Sequence, residues 1–260
     1  AFNARYRQGR ITATGSLVYT NVTEHVKIGD APADFQRLAP SFTVSLQPWQ
    51  EQLLFLRLMY KSTFRMPTFN DLYYYRLGNR SLRPEKANEY NMGITWSRSF
   101  SSFLNYLSVT VDGYYNDVTD KIVAFPTTYA WKMANYGKVH VTGMDATLAA
   151  AASLGKNMVL VVSGGYTRQK AIDLTDATSK SYKDQLPYTP KHSGNVSAVL
   201  EMPWVNVGYS IVGVSERYSM SQNIPENRID GYMEHTVSLS RNFSFRHCKL
   251  RLQTEIINLT

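Results

Sequence analysis

The chain has 260 residues, of which 43% are hydrophobic and 18% charged, and its 28 basic and 20 acidic residues give a formal net charge of +8. This apolar content excludes a disordered tail, and no uninterrupted apolar run reaches the roughly 18 residues that a helical membrane span requires. The basic residues stand singly rather than in Lys/Arg-rich runs, which argues against nucleic acid as a partner.

Alternation of apolar and polar residues with a period of two is the dominant pattern, and it predicts β-strands. In chain order the predicted strands are 10–20, 38–47, 52–64, 90–97, 107–112, 138–150, 156–168, 191–201, 205–216, 237–245 and 248–258. We therefore expect roughly eleven strands of about ten residues, the length that a tilted transmembrane strand needs. Strands of soluble sandwiches are shorter, at about five or six residues.

The links between these strands alternate in length. The short links are 47–51, 99–105, 153–155, 202–204 and 244–247, and the long links are 65–87, 117–137, 169–190 and 217–231. Short turns on one rim with long loops on the other are typical of outer-membrane barrels. The sequence therefore predicts an all-β, antiparallel transmembrane barrel wall.

The link at 65–87 is too elaborate for a tight turn. Proline fixes φ, and a Gly-Asn pair permits tight turning. Glu85 can accept hydrogen bonds from loop amides or pair with Arg65. Structural roles are predicted for Arg65, Pro67, Gly78, Asn79, Pro84 and Glu85, with ligand contact as the alternative interpretation.

Several segments, in this order, resemble TonB-dependent outer-membrane receptors. They are Phe64-Arg65-Met66-Pro67, Gly78-Asn79-Arg80-Ser81-Leu82-Arg83-Pro84-Glu85, Tyr114 to Ile122, Tyr136 to Thr147, and Ile256 to Leu259. The resemblance implies a 22-stranded barrel closed by an N-terminal plug, which receives energy from TonB and imports cobalamin, ferric siderophores or similar chelates across the outer membrane of a Gram-negative bacterium.

The resemblance also sets an expectation for domain organisation. Residues 1–260 would form the C-terminal portion of such a barrel, about its last half, without the plug and without the final strand. Expected partners are the TonB complex through the plug, outer-membrane lipids and a small nutrient or metal chelate. Some receptors of this kind are lidded by a surface lipoprotein, a partner for which no residue of this chain argues.

Aromatic and cationic side chains in the long loops are the candidate ligand contacts, because they suit planar or anionic cargo. The first group is Tyr73, Tyr74, Tyr75 and Arg76, and the second is Tyr129, Trp131, Tyr182 and Tyr188. The alternative for the first group is packing of the loop against its neighbours. The alternative for the second is an interfacial belt of aromatic residues.

No catalytic, metal or cofactor site is predicted. Cys248 is the single cysteine, the five histidines lack metal-ligand spacing, and no nucleophile motif occurs. Asp173, Asp176 and Asp184 share one loop and could mimic the carboxylates of an outer-membrane barrel enzyme. That enzyme and a soluble β-sandwich binding or adhesion module are the alternative functions.

Overall fold

The computed structural model describes residues 1–23, 25, 34–101, 103–126, 130–155, 157–246 and 248–259. Twelve of its strands form one antiparallel sheet, and the other two form a small ribbon. The strands are β1 (Phe2–Gln8), β2 (Ile11–Val22), β3 (Phe35–Leu46), β4 (Leu53–Arg65), β5 (Glu85–Ser99), β6 (Leu104–Pro126), β7 (Trp131–Gly155), β8 (Met158–Asp173), β9 (His192–Glu201), β10 (Asn206–Val214), β11 (Arg217–Tyr218), β12 (Arg228–Ile229), β13 (Tyr232–Ser244) and β14 (Lys249–Ile257). One short α-helix, α1 (Phe69–Tyr73), lies in the loop between β4 and β5, which the sequence predicts as the long link 65–87.

Each strand of the large sheet pairs with its neighbour in sequence, from β1 through β10 and then β13 and β14. The ribbon of β11 and β12 lies in the loop between β10 and β13. An antiparallel meander of this kind needs only turns between neighbouring strands. The predicted all-β antiparallel fold is confirmed, and β1 and β14 form the two edges of the described sheet.

Two details differ from the sequence prediction. Strand β1 was not predicted; it pairs with β2 through a turn in which Gly9 has a φ of +54°. The predicted loop at 117–137 is wrong, because β6 and β7 have 23 and 25 residues and stay paired out to Pro126 and Trp131. A tilted strand needs about 9–11 residues to cross a membrane, so both strands of this hairpin are about twice that length. Thr119, Asp120 and Lys121 are followed there by the run Ile122-Val123-Ala124-Phe125, so the period of two is lost.

The large sheet has two chemically different faces. A row of register partners on one face, the apolar face, contains Leu56, Ile94, Val111, Ala146 and Tyr166. The adjacent row on the opposite face, the polar face, contains Arg57, Gly93, Asp112 and Asp145.

Large apolar side chains stand exposed on the apolar face, including Leu58 at 56%, Met92 at 65% and Ile94 at 48%. An exposed apolar surface of this extent requires a lipid or protein environment. A soluble β-sandwich would bury this face under a second sheet. The only other sheet among the described residues is the short ribbon, so the sandwich alternative is wrong.

Buried hydrophobic residues cluster at the end of the sheet that carries the long loops. Leu72 and Leu82 of the first long loop pack with Ile122 of β6 and Met133 of β7. Leu186 of the loop between β8 and β9 covers Val118, Val139 and Ala171. These two clusters hold the loops in fixed positions on the sheet. Among the described residues, no helix has both the length and the apolar character to cross a membrane.

Candidate functional site

The loop between β4 and β5, residues 66–84, is ordered by a short helix and its cap. Thr68 caps α1: its side chain accepts a hydrogen bond from the Asp71 backbone, and the Asp71 side chain accepts one from the Thr68 backbone. This capping box satisfies helix amides that would otherwise lack partners. A side chain at Gly78 would meet the Leu72 carbonyl and the Tyr74 amide at 2.7 Å, so the chain can close back on the helix only with glycine there.

Arg65 and Glu85 stand opposite each other where β4 ends and β5 begins. The Arg65 guanidinium lies 3.4 Å from the Glu85 carboxylate and also donates to the Ile122 carbonyl at 3.0 Å. Glu85 accepts from the Ile122 amide at 3.1 Å, and Lys121 Nζ lies 3.6 Å from its other oxygen. Three strands are therefore joined by one carboxylate, an arrangement that favours the structural interpretation of this box.

The second half of the loop is fixed to the projecting β6–β7 hairpin. Asn79 Nδ2 donates to the Met133 carbonyl at 3.1 Å, and the Asn135 side chain bonds both the amide and the carbonyl of Arg83. Arg83 Nε donates to Asp120 at 2.8 Å, and this hydrogen bond raises the pKa of the Arg83 guanidinium. Asp120 and Asn135 were not singled out from the sequence, because their role depends on a hairpin predicted as loop.

Tyr73 is the last residue of α1, and Tyr74, Tyr75 and Arg76 follow it and are exposed. Tyr73 is half-buried against the Leu72 cluster, with the Arg80 guanidinium 5.3 Å from its ring centre. Tyr74 and Tyr75 are 59% and 78% exposed. Arg76 has a φ of +64°, and its guanidinium lies over the Tyr75 ring at 5.2 Å. The position of Tyr73 therefore favours the packing interpretation for this residue, whereas the side chains of Tyr74, Tyr75 and Arg76 are exposed and accessible to a ligand.

The second group of candidates is partly brought together. The rings of Trp131, at the start of β7, and Tyr188 lie 6.2 Å apart, and both are about half exposed. Tyr188 has a φ of +56°, and its amide donates to the Tyr218 carbonyl at 2.7 Å. Tyr182 is half-buried under the Lys183 ammonium. Tyr129 lies outside the described residues.

Buried polar side chains connect the loop between β8 and β9, residues 174–191, to the loop between β10 and β13. Gln185 is 3% exposed; it accepts from the Ala171 amide at 3.1 Å and donates to the Thr189 carbonyl at 3.2 Å. Asn223 accepts from the Gln185 amide at 2.7 Å and donates to its carbonyl at 3.0 Å. These amides were missed from the sequence, since nothing in their local pattern marks them.

Asp173, at the end of β8, and Asp176 and Asp184, in the loop that follows, act as hydrogen-bond acceptors for the loops at this end of the sheet. Asp173 accepts from Thr175 and Ser181, and Asp184 accepts from the Asn223 amide at 3.0 Å. Hydrogen bonds from the Thr178 amide and hydroxyl lower the pKa of the exposed Asp176. Carboxylates used in this way order turns, and among the described residues no group of His, Cys, Asp or Glu could hold a metal ion.

The polar face carries a charge network that sequence reasoning also missed. Arg57 donates to Asp112 at 3.0 Å across Gly93, which lies between them in the register row. Asp145 stands opposite Asp112, and its buried Oδ1 has no hydrogen-bond partner among the described residues. The sequence did contain a signal for this network, because Arg57, Asp112 and Asp145 are charged residues in strands whose polar face otherwise carries small side chains.

Comparison with known proteins gives one family and several relatives. The family model described as "TonB dependent receptor-like, beta-barrel" matches residues 2–259. A vitamin B12 transporter BtuB of Vibrio vulnificus is 32% identical over 84 residues, which cover 32% of this chain and 13% of the relative. One from Photobacterium profundum is 26% identical over 160 residues, covering 58% of this chain and 23% of the relative.

Solved structures share the fold at lower identity. The ferric-catecholate import receptor Fiu from K12 E. coli has a TM-score of 0.66 at 17% identity, over 97% of this chain and 38% of its own. The ferric citrate transporter FecA, unliganded, has a TM-score of 0.73 at 14% identity, over 99% of this chain and 39% of its own. The chain thus spans about two fifths of the length of these structures.

Proposed function

The chain belongs to the TonB-dependent receptor family, as part of its β-barrel, and from that premise we propose that it forms the C-terminal part of the wall of an outer-membrane receptor importing cobalamin, a ferric siderophore or a similar chelate. The plug that closes the barrel and contacts the TonB complex belongs to another part of the receptor. Residues 1–260 contribute the wall and the ligand-capturing loops.

One observation carries the cargo proposal: exposed aromatic and cationic groups converge at the long-loop end on rigid supports. Tyr75 and Arg76 project from a loop that is hydrogen-bonded to the β6–β7 hairpin, and Trp131 at the tip of that hairpin pairs with Tyr188. Aromatic faces offer contact area to a planar ligand at low entropy cost, and a guanidinium attracts an anionic one. The named cargoes of the relatives support this class.

The test is a titration of the full-length receptor with cyanocobalamin and, separately, with a ferric catecholate siderophore, followed by tryptophan fluorescence. We expect saturable quenching by one of the two. Because Trp131 lies at the proposed site, Trp131→Phe removes a large part of the quenching. Trp204→Phe, at the opposite end of the sheet between β9 and β10, leaves most of it.

A second variant tests whether the loop contacts the cargo, independently of the tryptophan fluorescence of position 131. Tyr75→Ala weakens the binding of that cargo about tenfold, which corresponds to roughly 1.4 kcal/mol, because an exposed ring with no packing role is removed. Unchanged affinity in Tyr75→Ala together with unchanged quenching in Trp131→Phe would contradict cargo binding at this end. Failure of both to bind would contradict cobalamin and ferric catecholates as the cargo, and haem and other metal chelates would be titrated next.

A further inference from the structure

A slot crosses the apolar face near the long-loop end. One row of register partners runs from Tyr166 of β8 through Gly194 of β9 and Gly213 of β10 to Met233 of β13. Two large side chains thus flank two adjacent positions with no side chain. A Cβ at Gly213 would meet only Met233, at 3.7 Å or more, so the gap over this position is open.

The slot is a largely apolar, open depression of the sheet surface. Its volume is about 650 Å³, and its lining includes Tyr166, Val196, Ile211 and Met233. Val196 and Ile211 are themselves register partners in the row two residues further from the long loops. Together they extend the apolar lining of the slot beyond the glycine pair, along the strands and away from the long loops. This shape suits an aliphatic chain lying along the sheet.

Basic side chains border the slot on its long-loop side. Arg168 and His192 are register partners directly beyond Tyr166 and Gly194, and Lys170 follows two residues further along β8. The His192 ring is held in place by a hydrogen bond of 2.7 Å between its Nδ1 and the Tyr166 hydroxyl. Arg168 and Lys170 are exposed, and neither forms a salt bridge within the described part of the chain.

A second slot on the same face provides an internal comparison. It has a volume of about 530 Å³ and is lined by Leu58, Met92 and Gly113 among others. Its long-loop side differs in charge, because the groups beyond Tyr115 are His140 and Asp117, which lie 3.2 Å apart. Of these two apolar slots, only the one beside Arg168 and Lys170 is bordered by basic side chains that form no salt bridge among the described residues.

From this combination we propose that the slot at Gly194 and Gly213 binds one acyl chain of a phosphate-bearing membrane lipid, whose phosphate is held by Arg168, Lys170 and His192. The guanidinium offers paired donors that match phosphate oxygens, and the ammonium adds a point charge. The inference rests on the proposed placement of the apolar face against lipid and is independent of the cargo. Charge complementarity selects an anionic headgroup over a zwitterionic one.

The experiment measures lipid binding to the full-length receptor in detergent by native mass spectrometry. The probes are dioctanoyl phosphatidic acid and dioctanoyl phosphatidylcholine, with inorganic phosphate as competitor. We expect phosphatidic acid to bind about tenfold more tightly than phosphatidylcholine, and phosphate alone to compete weakly. Equal binding of the two lipids, or full competition by phosphate alone, would overturn the proposal.

Variants assign the two halves of the site. The double variant Arg168→Gln/Lys170→Gln should bind phosphatidic acid about tenfold more weakly while its phosphatidylcholine binding stays unchanged. Gly213→Leu, which fills the slot, should weaken both lipids, whereas Gly15→Leu on the apolar face of β2, where no atom lies within 4 Å of an added Cβ, should weaken neither.

Two further measurements keep the outcome decisive. Heat-modifiable mobility on gels confirms that each variant is folded, and Gly213→Ala replaces Gly213→Leu if the larger side chain prevents folding. Cargo titration of the same variants should be unchanged, so that loss of lipid binding is distinguished from failure of the proposed transport function. Native lipid affinity in the double variant would contradict the assignment of Arg168 and Lys170.

Discussion

Gly93 decides how charges are arranged on the polar face, because its missing side chain leaves room for Arg57 to reach Asp112. A Cβ at this position would collide with the Asp112 carboxylate and would lie 3.0 Å from the Arg57 guanidinium. Both colliding groups are side-chain ends that can move, so the backbone would not need to shift. The cost of a substitution therefore falls on the ion pair.

The first prediction compares two glycine substitutions in strands. Gly93→Ala should lower the free energy of unfolding by about 1 kcal/mol, since it separates a half-exposed ion pair and leaves Asp112 opposite Asp145. Gly15→Ala on β2 meets no atom within 4 Å and should be neutral or slightly stabilising. Urea unfolding of the full-length receptor in micelles measures both. A Gly93→Ala protein as stable as Gly15→Ala would contradict the ion-pair argument.

The second prediction concerns Glu85, whose replacement should lower the stability of the loop because its carboxylate contacts three partners. Glu85→Ala leaves the Ile122 amide without its acceptor and removes one of the acceptors of Arg65, which should cost about 1–3 kcal/mol. The loop at 66–84 should then be cut faster by trypsin at Arg76 and Arg80. Glu51→Ala, at an exposed position in the turn before β4, is the control and should leave the cleavage rate unchanged.

Residue roles were predictable where they depend on local chain chemistry. The turn at Gly78 and Asn79 and the partnership of Arg65 with Glu85 could be proposed from the motif, because proline, glycine and a carboxylate have few alternative uses there. The contact of Trp131 with Tyr188 could not, since it joins two different loops. Its geometry depends on the buried Gln185 and on the Leu186 cluster, neither of which has a local signal.

At the scale of elements, packing of the loop against the β6–β7 hairpin fixes the direction of the candidate ligand residues. The five-residue helix α1 is too short to be stable alone, so its order derives from its cap and from burial of Leu72. The same burial places Tyr74 and Tyr75 on the outer side of the chain reversal. Loss of this anchor should therefore release the loop while leaving the sheet intact.

The third prediction tests that anchor. Leu72→Ala removes a side chain that is 4% exposed and should cost about 2–5 kcal/mol of local stability. Hydrogen exchange should speed up at the Leu77 and Asn79 amides and at the Met133 amide that bonds the Leu77 carbonyl, with no change in β9 or β10. The matched variant Phe69→Ala, in the same helix but 74% exposed, should exchange like the native protein. Faster exchange throughout the sheet would contradict a local role.

Strand prediction succeeded where one face is apolar and the other small and polar. Strands β5 and β13 show this alternation over most of their length, because one side meets an apolar environment. It failed in the upper part of the β6–β7 hairpin and in β1. In the upper hairpin Leu72 and Leu82 of the neighbouring loop cover Ile122 and Met133, so burial there follows a loop contact instead of a period of two. Pairing of β6 with β7 keeps this part of the chain extended.

At the scale of the whole molecule, the sheet is polarised in two directions. Across its thickness, one face is apolar and the other polar; under the proposed function the apolar face meets lipid and the polar face meets the interior of the barrel. Along the strands, short connections such as Gly9–Arg10 and the link between β13 and β14 mark one end, and the anchored long loops mark the other. The proposed function requires the long-loop end to face the outside of the cell, where the cargo arrives.

The orientation of the sheet can be measured in intact cells, and it distinguishes the proposed function from its reverse. A polyethylene glycol maleimide too large for outer-membrane pores is applied to Gram-negative cells that display the full-length receptor. Tyr75→Cys lies at the long-loop end, and the native, exposed Cys248 lies in the turn between β13 and β14. We expect Tyr75→Cys to be labelled on intact cells and Cys248 to be labelled only after permeabilisation. Labelling of Cys248 without labelling at position 75 would contradict the proposed orientation of the receptor.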